Sequence, residues 1–422
     1  MKRYLTAFLL VSLMVFSACE DEEPAPPAGP DPVENEVVSG QLTDDQTWVA
    51  TTIYELAGKV VVADGVTLTI EPGTIVKGRS GTGSLASALI VARGGTIIAD
   101  GTADNPIVFT TTEDNIEVGQ KFGSNLGSED KEKWGGVIIL GNAPISAENG
   151  DTEAQIEGIP AEESYGRYGG DQPADNSGSM KFVSLRHGGA LIGEGNEING
   201  LTLGGVGTGT TLENIEIYAT LDDGIEFFGG TVNVTNAIIS YQGDDGIDID
   251  QNYSGTVTNF VVQHGGTDSD EGLEIDGPEG STYTEGLFTL KNGYVATLGG
   301  DKPGTPADIK SNAQGTIDNV VFSYPSNGEL KIRASFTNNC TEAKTDAFTH
   351  LTQATPTLEI INSNQTGVKV YTSSTADDET TCPVSGEDQS AAEAKVTADA
   401  NATGADKAQF ADWTVASNTG IL

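Results

Sequence analysis

Short β-branched runs alternate with turn residues along most of this chain. KVVVADG, VTLTIEPG, GTIVKG, ALIVARGG, GTIIADG, PIVFTT and GVIILGN each hold about five strand-forming positions bounded by Gly, Asp, Asn or Pro. Helical i, i+3, i+4, i+7 spacing is missing beyond the N-terminal apolar run, apart from a weak trace in QSAAEAKVTADA near residue 389. From residue 209 the pattern repeats: GTTLENIEIYATLDDGIEFFG, GTVNVTNAIISYQGDDGIDID and GTVTNFVVQHGGTDSDEGLEID align, with Asn214, Asn236 and Asn259 spaced by 22 and 23 residues. TIDNVVFSY repeats the pattern at Asn319. A period near 22 with three short strands per repeat predicts an all-β fold, a right-handed parallel β-helix over 41–335, each coil ~4.8 Å above the last. Isoleucines and valines alternate with polar residues because one face of each strand enters a narrow core. The asparagines are expected to stack, each side-chain amide donating to and accepting from its neighbours along the solenoid.

Acidic or Gly/Pro-rich insertions at about 113–134, 147–178, 266–270 and 296–307 read as loops projecting from the coils. The repeat stops near residue 336, and 336–422 is expected to cap the open end, where bare strand edges invite aggregation. Cys340 and Cys382 are expected to pair; closing that loop stabilises by about 4 kcal/mol on the chain-entropy model. Zinc is disfavoured, since neither cysteine has a CxxC partner or a neighbouring His.

The N-terminus changes the address. MKRYLTAFLLVSLMVFSA (1–18) has two cations and then an apolar run too short to remain as a span, the pattern of a signal peptide. FSAC resembles a lipobox, which implies lipidation of Cys19. Residues 19–40 include seven acids and five prolines between Glu20 and Glu36 and no aromatic residue, so they form an extended tether. Acids directly after the lipidated cysteine resemble a Bacteroidetes surface-export signal, implying a lipid anchor in the outer membrane and an extracellular face. The formal charge is −41, and losing 1–18 removes Lys2 and Arg3 but no acid, giving −43. That potential repels nucleic acid and anionic lipid headgroups, which argues against either as a partner; divalent cations are the expected companions, with a solvated acidic surface that aids solubility as the alternative.

LTIEPGTIVKG, ALIVARGGTIIADGTADNPIVFTT, WGGVIILGNAPIS and DNSGSMKFVSLRHGG, in that order, resemble a large group of β-helix lipoproteins and secreted proteins from Bacteroidetes. The likeness runs over about 45–335 and extends weakly to the end of the sequence. It implies the architecture of pectate lyases and polygalacturonases, and a surface address, while leaving activity open.

One chemical motif stands out. LDDGIEF (221–227), GDDGIDI (243–249) and DEGLEI (270–275) fall in register and contribute Asp222, Asp223 and Glu226; Asp244, Asp245 and Asp248; Asp270, Glu271 and Glu274. Their glycines are expected to supply a tight turn. The strand acids Glu226, Asp248 and Glu274 should point outward and stack ~5 Å apart, so that they raise one another's pKa or hold a cation. Calcium suits such oxygens best, with Asp223, Glu226, Asp244, Asp245, Asp248, Asp270, Glu271 and Glu274 as candidate ligands. A solvated acidic face with turn aspartates bonding their own backbone is the alternative.

Two enzyme resemblances use the same residues. Asp244, Asp245 and Asp248, with Asp223 a coil below, resemble the calcium site of a pectate lyase family, which implies a lysine base; Lys291 and Lys310 are the nearest downstream. Asp223, Gly243-Asp244-Asp245 and His264-Gly265 resemble polygalacturonase motifs. Departures are the missing Asn-Thr, Gln263 before His264, and Lys331-Ile332-Arg333 in place of Arg-Ile-Lys. His264 and His187 also fit strand-end positions repeated by the coils. Tyr165, Tyr168, Tyr218, Phe227, Phe228, Tyr241 and Tyr253 surround the acids in sequence, as in sugar-binding surfaces, and at least half should be structural. The reading that combines these features is a surface lipoprotein whose acidic, calcium-loaded face binds a glycan or other surface component without turnover. A polysaccharide lyase or hydrolase acting on uronate polymers, and a purely structural scaffold, are the competing readings.

Overall fold

Each coil turns one corner on a residue with left-handed backbone. Asn214, Asn236, Asn259, Asn292 and Asn319 have φ of 58°, 60°, 59°, 55° and 55°, a region where asparagine is enriched. The corner bends strands Thr211–Tyr218, Asn233–Ser240, Thr256–His264, Phe288–Thr297 and Gly315–Ser323, so each contributes two of its coil's three strands. The third lies in a stack of short strands: Val137–Leu140, Leu201–Gly204, Ile225–Phe228, Ile247–Asp250, Leu273–Ile275, Asp308–Ile309, Leu330–Ala334 and Val368–Thr372. All of these strands pair in parallel with the coils above and below, and the fold is an all-β, right-handed parallel β-helix.

The computed structural model describes residues 35–193, 196–265, 269–280, 283–299, 305–324, 328–337, 340–372 and 382–422. The expected signal segment 1–18, Cys19 and tether residues 19–34 lie outside them, whereas 36–40, expected as tether, belong to the strand Glu36–Leu42, which pairs in parallel with 54–62 and starts the coils. Among the described residues no helix is long and apolar enough to cross a membrane.

The asparagine amides bond along the axis: Asn236 Nδ2 donates to Asn214 Oδ1 at 2.9 Å, Asn259 to Asn236 at 2.6 Å and Asn319 to Asn292 at 2.8 Å. Asn292 escapes the sequence alignment because it follows Asn259 by 33 residues, the coil between them being lengthened. Inside, Ile225, Phe227, Ile247, Ile249, Leu273 and Ile275 are fully buried. The glycines of the acidic motifs correct the expectation made for them. Gly224, Gly246 and Gly272 are absent from the positive-φ residues; a Cβ there would come within 2.3–2.4 Å of Ile239, Val262 or Val295. They are required by close packing of the turn on the next strand of the core.

The C-terminal region does more than cap. Leu358–Ile361 and Val368–Thr372 pair in parallel with 315–318 and 330–334, so the coil pattern continues past residue 335. Helix α1 (Ala347–Thr352), begun by an Asp346 capping box, and helix α2 (Gly386–Glu393) pack on those last strands. Cys340 and Cys382 are disulfide-bonded, with Cα atoms 5.5 Å apart. The chain then returns along the asparagine corner as a strap. Thr403 N–H donates to Asn319 Oδ1 at 2.8 Å, and Asp406 N–H to Asn259 Oδ1 at 2.6 Å. Trp413 meets Phe182 edge-on at 5.5 Å, and at helix α3 (Val415–Thr419) the Ala416 N–H donates to buried Glu216 at 3.1 Å.

Trp413 is 1% exposed, and truncating such a side chain costs about 3–5 kcal/mol. Trp413→Ala is therefore expected to free the strap, so that limited proteolysis cuts within 397–407 well before the coils. An unchanged digestion pattern would show that the strap does not depend on this anchor.

Candidate functional site

Parallel register turns the short strands into columns. One outward column reads Val61, Ile90, Ile138, Thr202, Glu226, Asp248, Glu274, Asp308, Lys331, Lys369. It is apolar at one end, acidic in the middle and basic at the other. The turn before it stacks Asn199, Asp223, Asp245 and Glu271, each glycine N–H bonding the backbone carbonyl of the next turn. Glu226, Asp248 and Glu274 thus stack in adjacent coils, and Asp250 and Asp276 extend the array two positions further along their strands.

The turn acids have a backbone role. Asp223 Oδ1 accepts the Asp245 N–H at 2.8 Å, and Asp245 Oδ1 accepts the Glu271 N–H at 2.5 Å. Asp244 and Asp270 are exposed in the outer turn and Asp222 is half-buried.

Charge compensation is lopsided. Lys310 bonds Glu274 and lies 3.3 Å from Asp276; Lys331 bonds Glu271 and lies 3.6 Å from Asp308, which Arg333 also holds. Among the described residues, Asp223, Glu226, Asp245 and Asp248 have no ion pair. Yet they are only 7%, 6%, 3% and 7% exposed. Burial, and then neighbouring carboxylates, push all four well above the usual carboxylate range. The same causes raise Asp250 to about 8, while burial lifts Glu271 to about 7 against the pull of Lys331. One oxygen each of Asp223, Glu226 and Asp248 lie within 4.8 Å of one another, as do those of Asp222, Asp223 and Asp244. Asn199 Nδ2 donates to Glu226 and, at 3.3 Å, to Thr202 Oγ1.

The candidate catalytic residues do not assemble around these acids. Lys291 pairs with Thr258 and Asp318 in the long-strand stack, away from the acidic column. Lys310 reaches the column, where burial alone would lower its pKa, but the clamping carboxylates of Asp276 and Glu274 outweigh that and raise it, which holds the lysine as a cation. His264 is 1% exposed behind Gly272, its ring 5.8 Å from Tyr324, and burial lowers its pKa to about 4. It is a neutral strand-end histidine. Among the aromatics, Phe227 and Tyr253 meet in the core at 4.3 Å with their rings tilted by 34°, whereas Tyr218 and Tyr241 meet edge-on at 5.7 Å.

A loop gives the face a wall. Residues 143–171 set Ile145, Ile156, Ile159 and Tyr168 against outward Ile90, Ile138, Leu140 and Phe228. Tyr168 Oη donates to Gln251 at 3.0 Å. Between this loop and the coils opens a cleft of about 630 Å³ lined by Glu148, Asp151, Glu157, Phe228, Gln251 and Glu279, among others. From the later insertion, Thr305 N–H bonds the Asp270 carbonyl at 2.7 Å; 300–304 lie outside the described residues.

A family model described as a pectate-lyase like beta helix domain matches residues 40–417. The chain belongs to that family. No curated protein and no solved structure matches it. For a pectate-lyase-like domain the fold is thereby established, while chemistry has to be argued from the carboxylates themselves. Sequence reasoning missed Asn199, Asp250, Asp276 and Asp308. Asp250 was signalled by the alternation within GDDGIDID, whereas Asp308 lies behind an insertion that hides its register.

Removing the Asp245 acceptor strands a buried N–H, at about 1–3 kcal/mol. Asp245→Ala should thus melt lower than wild type in chelator, while Asp245→Asn, which keeps an acceptor and loses a buried charge, should melt at or above it; equal loss in both would refute the backbone role. Lys331→Met leaves Glu271 buried without its cation, at about 3 kcal/mol. Urea titration should show that loss and its recovery in Lys331→Met/Glu271→Gln.

Proposed function

We propose that this pectate-lyase-like domain is a non-catalytic carbohydrate-binding protein, held on the outer face of the outer membrane by lipid on Cys19, with calcium as counter-ion to its acidic face. One observation carries the reading. Among the described residues Asp223, Glu226, Asp245 and Asp248 have no ion pair, and Phe228, on the strand of Glu226, lines an open cleft, whereas Lys310 is clamped, His264 is buried and Lys291 lies in the long-strand stack. Carboxylates and the Gln251 amide can accept and donate hydrogen bonds to sugar hydroxyls, and Phe228 offers an apolar edge at the same opening. A glycan chain laid along the column meets the same groups at each coil, which gives many weak contacts a common spacing.

The test is retention of the full chain, in detergent, on immobilised neutral and uronate polysaccharides with calcium or chelator. Retention without release of sugar ends is expected, and Glu148→Ala/Glu279→Ala should weaken it about tenfold, or 1.4 kcal/mol. Unsaturated or reducing ends released from uronate polymers, and lost in Asp245→Asn, would replace this reading with an enzymatic one.

A further inference from the structure

In the long-strand stack a guanidinium is buried without a counter-ion. Arg186, at the end of strand Gly178–Arg186, is 2% exposed and forms no ion pair among the described residues. Its Nε donates to Ser184 Oγ at 2.7 Å and its Nη1 to the Lys121 carbonyl at 2.8 Å, while Nη2 is buried with no hydrogen-bond partner. The two carboxylates that act on it are engaged by other donors. Glu216 accepts from Ser184 Oγ and from the Ala416 N–H, and Asp114 from Thr110 Oγ1 and the Ile116 N–H. Burial accordingly outweighs their pull and lowers the arginine's pKa. A desolvated cation in that state is stabilised by an anion that can reach it.

There is room for one. Arg186 lines a cavity of about 110 Å³ bounded by loop residues 122–127, the strand-end residues His187 and Tyr218, and helix α3 of the strap. The Phe122 ring centroid lies 5.3 Å from the guanidinium carbon, and Lys121 Nζ donates to the Asp412 carbonyl at 3.1 Å, tying the loop to the strap. Phe122, Leu126 and Val415 give the cavity an apolar wall, and Tyr218 and Asn418 carry further donors. His187 adds no charge. Its Nδ1 lies 2.7 Å from the Asp130 carbonyl, which can only accept, and burial lowers its pKa, so the ring is neutral with the proton on Nδ1. An apolar cavity of about 150 Å³ holds benzene, so the present volume limits an occupant to about four to six heavy atoms. One cation, a few donors and an apolar wall in that space match a small carboxylate with a short alkyl part.

We propose that this cavity binds a short-chain monocarboxylate of about two to four carbons, its carboxylate on Arg186 Nη2 and its alkyl part against Phe122, Leu126 and Val415. The site uses none of the residues of the acidic column or its cleft and is independent of the carbohydrate and calcium readings. Because α3 supplies part of the wall, an occupant also holds the strap against the loop.

The experiment is titration of the full chain, in detergent and in carboxylate-free buffer, with acetate, propionate and butyrate by calorimetry and thermal melting. Octanoate, propionamide, chloride and phosphate serve as comparisons. One saturable equivalent of propionate or butyrate is expected, with a rise in Tm and slower proteolysis within 397–407. Octanoate should be too long, and propionamide, which lacks the charge, should bind about 10- to 100-fold more weakly. Arg186→Met should lose binding to the same extent. Leu126→Trp, which fills the cavity from a half-exposed loop position and leaves the arginine in place, should melt as wild type without ligand and bind no propionate. No binding by wild type, equal binding of propionamide, preference for chloride or phosphate, or binding that survives Leu126→Trp would each overturn the site. Binding that survives Arg186→Met would do the same.

Discussion

In-register parallel stacking is the constraint on which the rest of this molecule depends. Each residue lies one strand spacing, ~4.8 Å, from its counterpart in the next coil, so every column must tolerate its own repetition. Apolar columns do so by packing. Amide columns do so by bonding themselves, as Asn214 and Asn236 do. A column of acids cannot, and has to take its countercharge from elsewhere. Here the later coils supply it, with Lys331 continuing the column of Glu226, Asp248, Glu274 and Asp308, and Lys310 and Arg333 alongside. Among the described residues the supply does not extend to Asp223, Glu226 and Asp248, which stay buried without an ion pair.

The same column explains the position of the cleft. Its early members, Val61, Ile90 and Ile138, are apolar and would face water, so the 143–171 loop covers them with its own isoleucines. Where the column turns acidic the loop has nothing apolar left to cover, and the bond from Tyr168 to Gln251 marks its edge. An opening arises at that border from one change in composition along a column, with no departure from the coil geometry.

How much of this was legible in the sequence follows from how strictly each feature repeats. The coil period could be read because Asn214, Asn236 and Asn259 mark the same corner 22 and 23 residues apart. The outward set Glu226, Asp248 and Glu274 followed from strand alternation. That two of these three are buried did not, since the covering comes from other parts of the chain. Asn199 was invisible because its coil carries an amide where later coils carry an acid. Lys310 read as a free base because only three-dimensional register shows Glu274 and Asp276 on either side of it. His264 likewise lay close in number to the acids, but its side chain turns inward behind Gly272.

The strap gives the molecule a different kind of cooperativity. A solenoid whose coils touch only their neighbours can fray from either end. Here the chain's last residues bond partners 84, 147, 200 and 291 positions earlier, at Asn319, Asn259, Glu216 and Lys121. Such contacts pay their loop-closure entropy only at the end of folding. Coils can form one upon another as the polypeptide emerges, but the lock that joins early coils to late ones closes only after the final helix has been made. A chain stopped short of its C-terminus is therefore a stack without a clasp, open to unzipping coil by coil, whereas the finished protein resists as a unit.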